Sequence, residues 1–424
     1  MVRRWFRCVW PLVLFLAGCP GGEGFGDAAF ADEAAATDEA PGSDATLEVD
    51  AAPPEDGGFD VDAPGDDGDD GDGGDDGGVE PDASVDGEPD GGPDVAPDVV
   101  EDCPRIYYLD PAGDDGRDGR SSATALLSLA RVQELLRADP PPCDVEVEIA
   151  AGVYRREAVV WQTTWPDRRI TFRAADRTDR PVFDGCTEGG SCPGGTFFTL
   201  RASAGAATNL HFWYLRVRNY QTAISLNGNR DAEAASNGHN RIYGCYFERI
   251  GNVYDDAVEP STACLRLVNS DDNEIENNHF VDVVNTRDGG LIHGIYAAHM
   301  SDRNVIRSNR FLRSTGDPIR LRDYSNDNVI TENRLIRVGT NGGYTDWYCD
   351  HEVRTDCTKP TAECPSWNNQ FRDNVLDGTW TCSTLPVFHY FQDDTTAGCS
   401  PPSAAAVRLR TSGNTQTATP CSLE

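Results

Sequence analysis

The segments Asn304-Val-Ile-Arg-Ser-Asn-Arg-Phe311 and Asn328-Val-Ile-Thr-Glu-Asn-Arg-Leu335 decide the fold, because they are one unit written twice, 24 residues apart. Each follows the pattern Asn-x-apolar-x-x-Asn-x-apolar, and such short alternation of apolar and polar residues is typical of β-strands. A fixed repeat period of roughly 20 to 50 residues indicates a solenoid in which each repeat forms one coil. The pair therefore predicts two stacked coils of a β-solenoid.

Further copies of the unit occupy residues 240–247, 273–280 and 369–376, and an earlier copy at 210–217 has leucine at both asparagine positions. Stacked coils repeat the same side chain at the same corner, whereas strands of an antiparallel sandwich have no reason to do so. The second asparagine of each copy is expected to form a ladder between coils: Asn278, Asn309, Asn333 and Asn374. Parallel stacking also predicts one register for Ile275, Ile306, Ile330 and Phe371.

The chain before these repeats has its own order of elements. A strand and turn, Tyr107-Tyr-Leu-Asp-Pro-Ala-Gly113, precede an amphipathic helix predicted over 124–138, with Ser121 and Ser122 as possible N-caps, and Ile149-Ala-Ala-Gly-Val-Tyr154 follows. This order resembles secreted right-handed parallel β-helix proteins of the pectin-lyase-like superfamily, over roughly 107–380. The resemblance implies an all-β, single-stranded right-handed parallel β-helix whose N-terminal helix covers strand edges that would otherwise be exposed.

The first nineteen residues read as an export signal, because Arg3, Arg4 and Arg7 precede an apolar run too short to span a bilayer. The sequence Leu16-Ala-Gly-Cys19 resembles the lipobox of bacterial lipoproteins, which implies cleavage before Cys19 and a lipid on its sulfur. An ordinary signal peptide with an incidental cysteine is the alternative. Pro20 replaces the aspartate that would retain a lipoprotein in the inner membrane. We therefore expect an outer-membrane lipoprotein of a Gram-negative bacterium, facing the periplasm or the cell surface.

Residues 20–102 hold 29 acidic residues and no Lys or Arg among Gly, Pro and Ala, which predicts a disordered, extended linker. This segment accounts for most of the net charge of −35. Its run Asp66-Asp-Gly-Asp-Asp-Gly-Asp72 leaves calcium as an alternative, although it lacks the ligand spacing of an EF-hand; otherwise no cofactor or metal is expected. The predicted organisation is a signal peptide (1–19), the linker (20–102), a capped β-helix (103–398) and an irregular tail (399–424).

Cysteine usage agrees with an exported protein. Without Cys8 and Cys19, twelve cysteines remain, an even number that predicts up to six disulfides in an oxidising compartment. Cys186 and Cys192 are expected to pair locally, and Cys399 and Cys421 to hold the tail. Zinc is the alternative for the crowded segment, which no CxxC pair supports; its candidate ligands are Cys349, Cys357, Cys364, Cys382 and His351.

Each repeat has another strand just before the next Asn, and these strands carry the candidate site. Alternation places Tyr296, Arg320 and Arg322 outward, and the expected register gives the column Ser225, Arg266, Tyr296, Arg320. His293 then aligns with Asp317, and His299 with Asp323. Two adjacent coils would present one outward patch that holds the candidate catalytic residues: His293, Tyr296, His299, Asp317, Arg320, Arg322 and Asp323. The candidate substrate-binding residues are Arg266, Tyr296, Arg320 and Trp347, the last from the long insertion at 339–367.

The resemblance implies that this face carries the active sites of pectate lyases, alginate lyases and polygalacturonases. Elimination at a uronic acid needs a cation, a base and an acid, roles that Arg320 or Arg322, His293 or His299, and Tyr296 could fill. Hydrolysis would use Asp317 with Asp323. The face has no lysine, so the lysine base of some β-helix lyases is absent, and the patch can equally be a set of surface ion pairs on a scaffold.

These observations lead to two expectations for function. The first is a tethered protein whose β-helix binds a polysaccharide or cell-surface glycan, or acts as an adhesion scaffold, without catalysis. The second is a polysaccharide lyase or glycoside hydrolase that acts on uronates. The chain has a single lysine, Lys359, and no basic run after the signal peptide, which argues against nucleic-acid binding. The expected partners are thus a glycan and, through the N-terminal lipid, a membrane, and the protein is expected to be a monomer.

Overall fold

The structure, a computed structural model, describes residues 103–424 except 253–256, 352–353, 356, 358–360 and 393–398. The predicted signal peptide, the lipid attachment at Cys19, the acidic linker and the possible calcium run all lie outside the described residues. Among the residues described, no helix is long and apolar enough to cross a membrane.

Three long parallel sheets run the length of the described chain, and each complete coil contributes one strand to each sheet. The first sheet contains Arg105–Leu109, Val145–Ile149, Ile170–Ala174, Leu210–Trp213, Arg241–Tyr243, Glu274–Glu276, Val305–Arg307, Val329–Thr331, Asn369–Arg372 and Leu409–Ser412. The second contains Gly152–Arg155, Pro181–Asp184, Arg216–Arg218, Tyr246–Gly251, His279–Val284, Arg310–Ser314, Arg334–Val338, Val375–Asp377 and Thr415–Gln416. The third contains Val159–Trp161, Thr196–Arg201, Thr222–Asn227, Ala263–Val268, His293–Ala298, Ile319–Arg322, Tyr344–Trp347 and Phe388–Tyr390. A short pair, Asn237–Gly238 and Ser270–Asp271, lies beside them.

The coils stack with the predicted register. Ile275, Ile306, Ile330 and Phe371 are successive partners in the first sheet, and all four are buried. In the second sheet the rings of Phe247, Phe280 and Phe311 stack at centroid distances of 5.2 and 4.5 Å. Each such side chain contributes roughly 1.5–3 kcal/mol through burial. The interior is therefore one continuous apolar core, and the predicted right-handed parallel β-helix is confirmed.

Two asparagine ladders run along the coils. The predicted ladder is present: Asn278, Asn309 and Asn333 each donate from Nδ2 to Oδ1 of the asparagine in the next coil at 3.0 Å, and the column continues through Asn374 to Asn414. The first asparagine of each unit forms a second ladder with Nδ2 to Oδ1 distances of 2.7–3.1 Å: Asn240, Asn273, Asn304, Asn328 and Asn369. These first asparagines recur in the sequence repeats, but hydrogen bonding between them was not predicted.

An α-helix, Leu129–Ala138, precedes the coils, and its buried face includes Leu129, Val132 and Leu136. The helix begins later than the predicted residue 124. The reason is that Leu126 makes a parallel bridge to Leu109, so the chain there is extended, and the hydroxyl oxygen of Ser128 caps the helix by accepting from the Arg131 amide at 3.2 Å. Short 3-10 helices occupy Ser122–Thr124, Glu233–Ala235 and Gly289–Leu291.

The expected irregular tail at 399–424 is corrected by the structure, because Leu409–Ser412 and Thr415–Gln416 extend the first and second sheets. Five disulfides form among the residues that the structure describes, including the expected Cys186–Cys192; the others are Cys103–Cys143, Cys349–Cys357, Cys364–Cys399 and Cys382–Cys421. Six were possible, but Cys245 and Cys264 are free and buried in the core. The disulfides also leave no thiolate for zinc in the segment around His351.

Candidate functional site

The predicted column of outward residues is present in the third sheet. Ser225, Arg266, Tyr296 and Arg320 are successive partners, and Thr345 continues the row. A parallel row pairs Ala298 with Arg322 and Arg322 with Trp347. Sequence reasoning thus placed Tyr296, Arg320 and Arg322 on the correct strands and in the correct register. The candidates that lie just outside these strands are His299, Asp317 and Asp323.

Most of the candidate residues are nevertheless covered. Expected on an open patch, they are buried, with exposed fractions of 8% or less: His293, His299, Asp317, Arg320, Arg322 and Asp323. The reason is that Glu363 and Phe391, which lie outside the strands, contact Arg322 and Arg320 on this face. Arg266, Tyr296 and Trp347 stay partly exposed.

One buried cluster centres on Asp317 and Arg320. Arg320 Nη2 donates to Asp317 Oδ2 at 3.1 Å, and its guanidinium lies 4.3 Å from the ring centre of Phe391. Burial opposes ionisation of Asp317, but Arg320 and nearby amides outweigh it and lower the pKa of this carboxyl. Burial, followed by Arg320, lowers the pKa of His293 to about 3, so His293 is a neutral imidazole whose Nδ1 donates to the Asp317 carbonyl oxygen at 2.8 Å.

A second buried cluster contains Arg322, Glu363, His299 and Asp323. Arg322 donates from Nε and Nη2 to the two carboxylate oxygens of Glu363 at 2.7 and 2.6 Å, a bidentate pair of the strongest kind. His299 Nδ1 lies 2.9 Å from Asp323 Oδ2. Burial lowers the pKa of His299 despite this carboxylate. Arg322 and Glu363 therefore neutralise each other inside the protein.

Tyr296 connects the two clusters. Its ring stacks on His293 with centroids 5.7 Å apart, and its hydroxyl accepts from Arg322 Nη1 at 3.0 Å. The guanidinium of Arg322 in turn lies 4.3 Å from the ring centre of Trp347. Tyr296 and Trp347 thus form a half-buried aromatic border above charged groups that the solvent hardly reaches.

Sequence reasoning missed Glu363. It belongs to the long insertion at 339–367, where no repeat fixes the position of a residue. The fold places Glu363 by closing this segment with the Cys349–Cys357 and Cys364–Cys399 disulfides. A completely buried acidic residue opposite an outward arginine is a tertiary pairing, which periodicity does not encode.

The arrangement does not suit hydrolysis by Asp317 and Asp323. These residues flank the strand Ile319–Arg322, and a rise of about 3.3 Å per residue separates them by roughly 15–20 Å. Glycosidase carboxylates lie roughly 5–9.5 Å apart. A surface cavity of about 560 Å³ lies elsewhere, at the N-terminal end, where Cys103, Cys143 and Arg169 line it.

Part of the chain matches a known protein family. Residues 209–380 match the family described as "Periplasmic copper-binding protein (NosD)". No curated protein sequence matches the chain.

Several solved structures are similar to the chain. An alginate lyase from Paenibacillus sp. str. FPU-7 is 15% identical, with a TM-score of 0.40 over 68% of this chain and 93% of the lyase. A pectin methylesterase from Aspergillus niger is 12% identical, with a TM-score of 0.34 over 75% and 88% of the two chains. The Escherichia coli protein YbhC is 10% identical, with a TM-score of 0.36 over 73% and 85%.

The coil geometry decides the classification. Three parallel sheets enclose a single apolar core, and each complete coil contributes one strand to each of them. The chain is therefore a right-handed parallel β-helix protein.

Proposed function

We propose that this chain is an extracytoplasmic β-helix protein that binds acidic polysaccharide without catalysis, on the part of the third sheet where Arg266, Tyr296 and Trp347 are accessible. We call these three residues the open row. Arg266 and Tyr296 are direct partners in the sheet, and Trp347 lies two strands beyond Tyr296 and two residues further along the strand, roughly 12 Å away. Aromatic rings offer flat apolar contact to a sugar ring, and arginine matches a carboxylate.

One observation carries this proposal: the groups that catalysis would need are buried and paired, whereas the open row is accessible. Arg320 and Arg322, the cations that would neutralise a uronate, already bind Asp317 and Glu363. His293, the candidate base, is 2% exposed and its low pKa makes it a weak base. An elimination catalyst needs such groups within hydrogen-bond reach of the substrate.

The family description raises copper, and the donor atoms of this chain can be compared with what copper requires. Cuprous copper prefers thiolate and thioether ligands, but in the described residues only Cys245 and Cys264 are free, and both are buried in the core. His299, Asp323 and Glu363 offer ligand atoms within 4.8 Å of one another. Arg322 already neutralises Glu363, however, and a divalent cation beside a buried guanidinium is repelled. The residues present do not fit copper.

The second close group does not suit a metal either. Cys382 and Cys421, which lie near Glu424, are bonded to each other and offer no thiolate.

Export and tethering complete the proposal. Five disulfides fit an oxidising compartment, as does the periplasmic description of the matching family. We extend this to an outer-membrane lipoprotein, anchored through lipid on Cys19 and held off the membrane by the acidic linker, on the basis of the sequence alone. Radiolabelled palmitate incorporation that is lost in Cys19→Ser tests this part, and labelling that persists in the variant contradicts it.

Binding is tested by affinity electrophoresis in gels that contain alginate, pectate or a neutral glucan. We expect the acidic gels alone to retard the protein, with the retardation reduced by Arg266→Ala and by Trp347→Ala. Arg334→Ala, at an exposed position of the second sheet, is the matched control and should migrate as the wild type does. Equal migration of the wild-type protein in all gels would contradict the proposal. Product absorbance near 235 nm with alginate or pectate would instead establish a lyase.

A further inference from the structure

The surface cavity at the N-terminal end of the β-helix lies on the outward side of the first sheet. Its volume is about 560 Å³, within the range of roughly 300–1,000 Å³ that is usual for small-molecule sites. Glu146 and Thr171 line it, and both point away from the core because their neighbours along the strands, Val147 and Phe172, are buried inside the coil. The cavity is therefore on a different sheet from the open row.

The polar side chains that line this cavity have unused hydrogen-bonding capacity. Glu146 and Thr171 are direct partners in the sheet, about 4.8 Å apart along the backbone. The Thr171 hydroxyl has no hydrogen-bond partner among the described residues, although Thr171 is only 3% exposed. Glu146 accepts from Arg173 at Oε2, at 2.9 Å, and its Oε1 has no partner in the same part of the chain. A hydroxyl and a carboxylate oxygen are thus available side by side.

His211 borders the cavity as the next sheet partner of Thr171. Burial, followed by Arg169 and Arg241, lowers the pKa of His211 to about 4, so its ring carries no charge at neutral pH. The ring of Trp213, two residues further along the strand, lies 6.0 Å from the imidazole between centroids. A neutral, partly aromatic surface therefore adjoins the polar part of the cavity.

The charged groups at the cavity oppose an anion. Three carboxylates and two guanidinium groups line it, a sum of −1: Asp144, Glu146, Asp167, Arg168 and Arg169. Arg169 already binds Asp144 at 2.9 Å, and Arg168 binds Asp167 at 3.3 Å. A metal ion is not favoured either, since the described acidic, histidine and cysteine side chains that are close enough to share one lie elsewhere.

We propose that this cavity binds a neutral sugar, as a free molecule or as the end unit of a glycan, through the Thr171 hydroxyl and the Glu146 carboxylate. Sugar hydroxyls both donate and accept hydrogen bonds, which suits a carboxylate that only accepts beside a hydroxyl that does both. The site shares no residue with the open row and does not depend on it. That the bound sugar belongs to the same polysaccharide as the uronates rests on the proposed function.

A single cavity of this size takes a free sugar or a chain end, whereas the inner units of a polymer are linked on both sides. An unbranched glucan offers only its chain ends to such a site. The neutral gel of the retardation assay is therefore not expected to respond to the cavity.

The test is the binding of free sugars to the full mature chain, measured by saturation-transfer difference NMR. The probes are the methyl glycosides of glucose, galactose and mannose, each with its uronic acid counterpart. We expect at least one neutral sugar to bind with a Kd of about 1–10 mM, as is usual for a ligand of about a dozen heavy atoms. Its uronic acid counterpart should bind about fivefold more weakly or less, because the charges around the cavity sum to −1.

Two matched variants locate the binding. Thr171→Val keeps the shape of the side chain and removes the hydroxyl, and it should weaken sugar binding about three- to tenfold. Thr331→Val is the control, because Thr331 belongs to the same sheet and its buried hydroxyl also has no partner in the described chain, yet it does not line the cavity. This control should bind the sugar as the wild type does. Both variants exchange an unbonded hydroxyl for a methyl group, so neither is expected to lose stability.

Three results overturn the inference. They are a wild type that binds none of the neutral sugars, a Thr171→Val variant that binds as tightly as the wild type, and a uronic acid that binds as tightly as its neutral counterpart. The outcome for the open row is separate. Sugar binding without retardation in acidic gels leaves the cavity site and removes the polysaccharide function, whereas retardation without sugar binding does the reverse.

Discussion

Replacing Asn309 by alanine removes one rung from the middle of an asparagine ladder. Asn309 Oδ1 accepts from both the backbone amide and Nδ2 of Asn278, at 2.9 and 3.0 Å, and its own Nδ2 donates to Asn333 Oδ1 and to the Ile275 carbonyl. Asn278 and Asn333 are completely buried, so no solvent replaces the lost contacts.

The cost follows from which groups lose their partners. The backbone amide of Asn278 loses its acceptor entirely, whereas the side-chain nitrogen Nδ2 of Asn278 keeps its hydrogen bond to the Ile242 carbonyl. Asn333 Oδ1 still accepts from the backbone amide of residue 309. A buried polar group without a partner costs about 1–3 kcal/mol, so the free energy of unfolding should fall by about 2–4 kcal/mol.

Asn414→Ala is the matched comparison, because Asn414 receives the same two bonds from Asn374, both at 3.0 Å, yet it is half-buried in the last coil. Water can replace the amide there, and we expect a loss of about 1 kcal/mol or less. Urea denaturation followed by circular dichroism measures both variants. Equal losses in the two variants, or a loss below about 1 kcal/mol in Asn309→Ala, would refute the reasoning.

Three further predictions concern the core and a buried aspartate. Burial, together with Asp271, raises the pKa of Asp302 to about 7. A native pKa above the unfolded value stabilises the fold fully below the unfolded pKa, and this stabilisation is lost as pH rises through 7. The free energy of unfolding of Asp302→Asn should therefore match that of the wild type near pH 4 and exceed it at pH 8 by up to about 4 kcal/mol. A difference in urea melts that stays constant with pH would contradict this. Phe280→Ala should lower the free energy of unfolding by about 3–5 kcal/mol, since it breaks the stack with Phe247 and Phe311; a loss below about 1 kcal/mol in the same urea melts would contradict it. Burial raises the pKa of the Cys245 thiol to about 12, and Cys264 is buried as well. Ellman's reagent should therefore detect neither thiol in the native mature protein and both after unfolding without reductant. One thiol detected per native molecule would contradict the buried placement.

The sequence predicted the parts of this molecule that repeat. Asn309, Asn333 and the apolar residues two positions after the first asparagine recur with the coil, so their neighbours in space follow from alignment of the copies. The pairing of Tyr296 with Arg320 in adjacent strands was predicted for the same reason. Arg320 was expected in solvent, because alternation gives the direction of a side chain but not what lies above it.

The parts that do not repeat were predicted less well. Glu363 and Phe391 contact the arginines of the third sheet from segments outside the repeats. The positions of such residues depend on disulfides and tertiary contacts. The pairing of Cys364 with Cys399 and of Cys382 with Cys421 was likewise left open, because four cysteines in an irregular segment allow several connectivities. Cys245 was counted as a disulfide partner, but it occupies a ladder position in the core, where its amide donates to Asn278 Oδ1 at 2.8 Å.

The ladders also give the β-helix a direction. In every rung the side-chain amide donates toward the following coil, and the column begins at Leu215 and Cys245, which offer no amide oxygen to an earlier coil. A coil duplicated within the column or added after Asn414 can continue it by bringing one asparagine, whereas a coil added before residue 210 gains nothing from carrying one. The ladder therefore favours extension of the β-helix within or after the column over extension before residue 210.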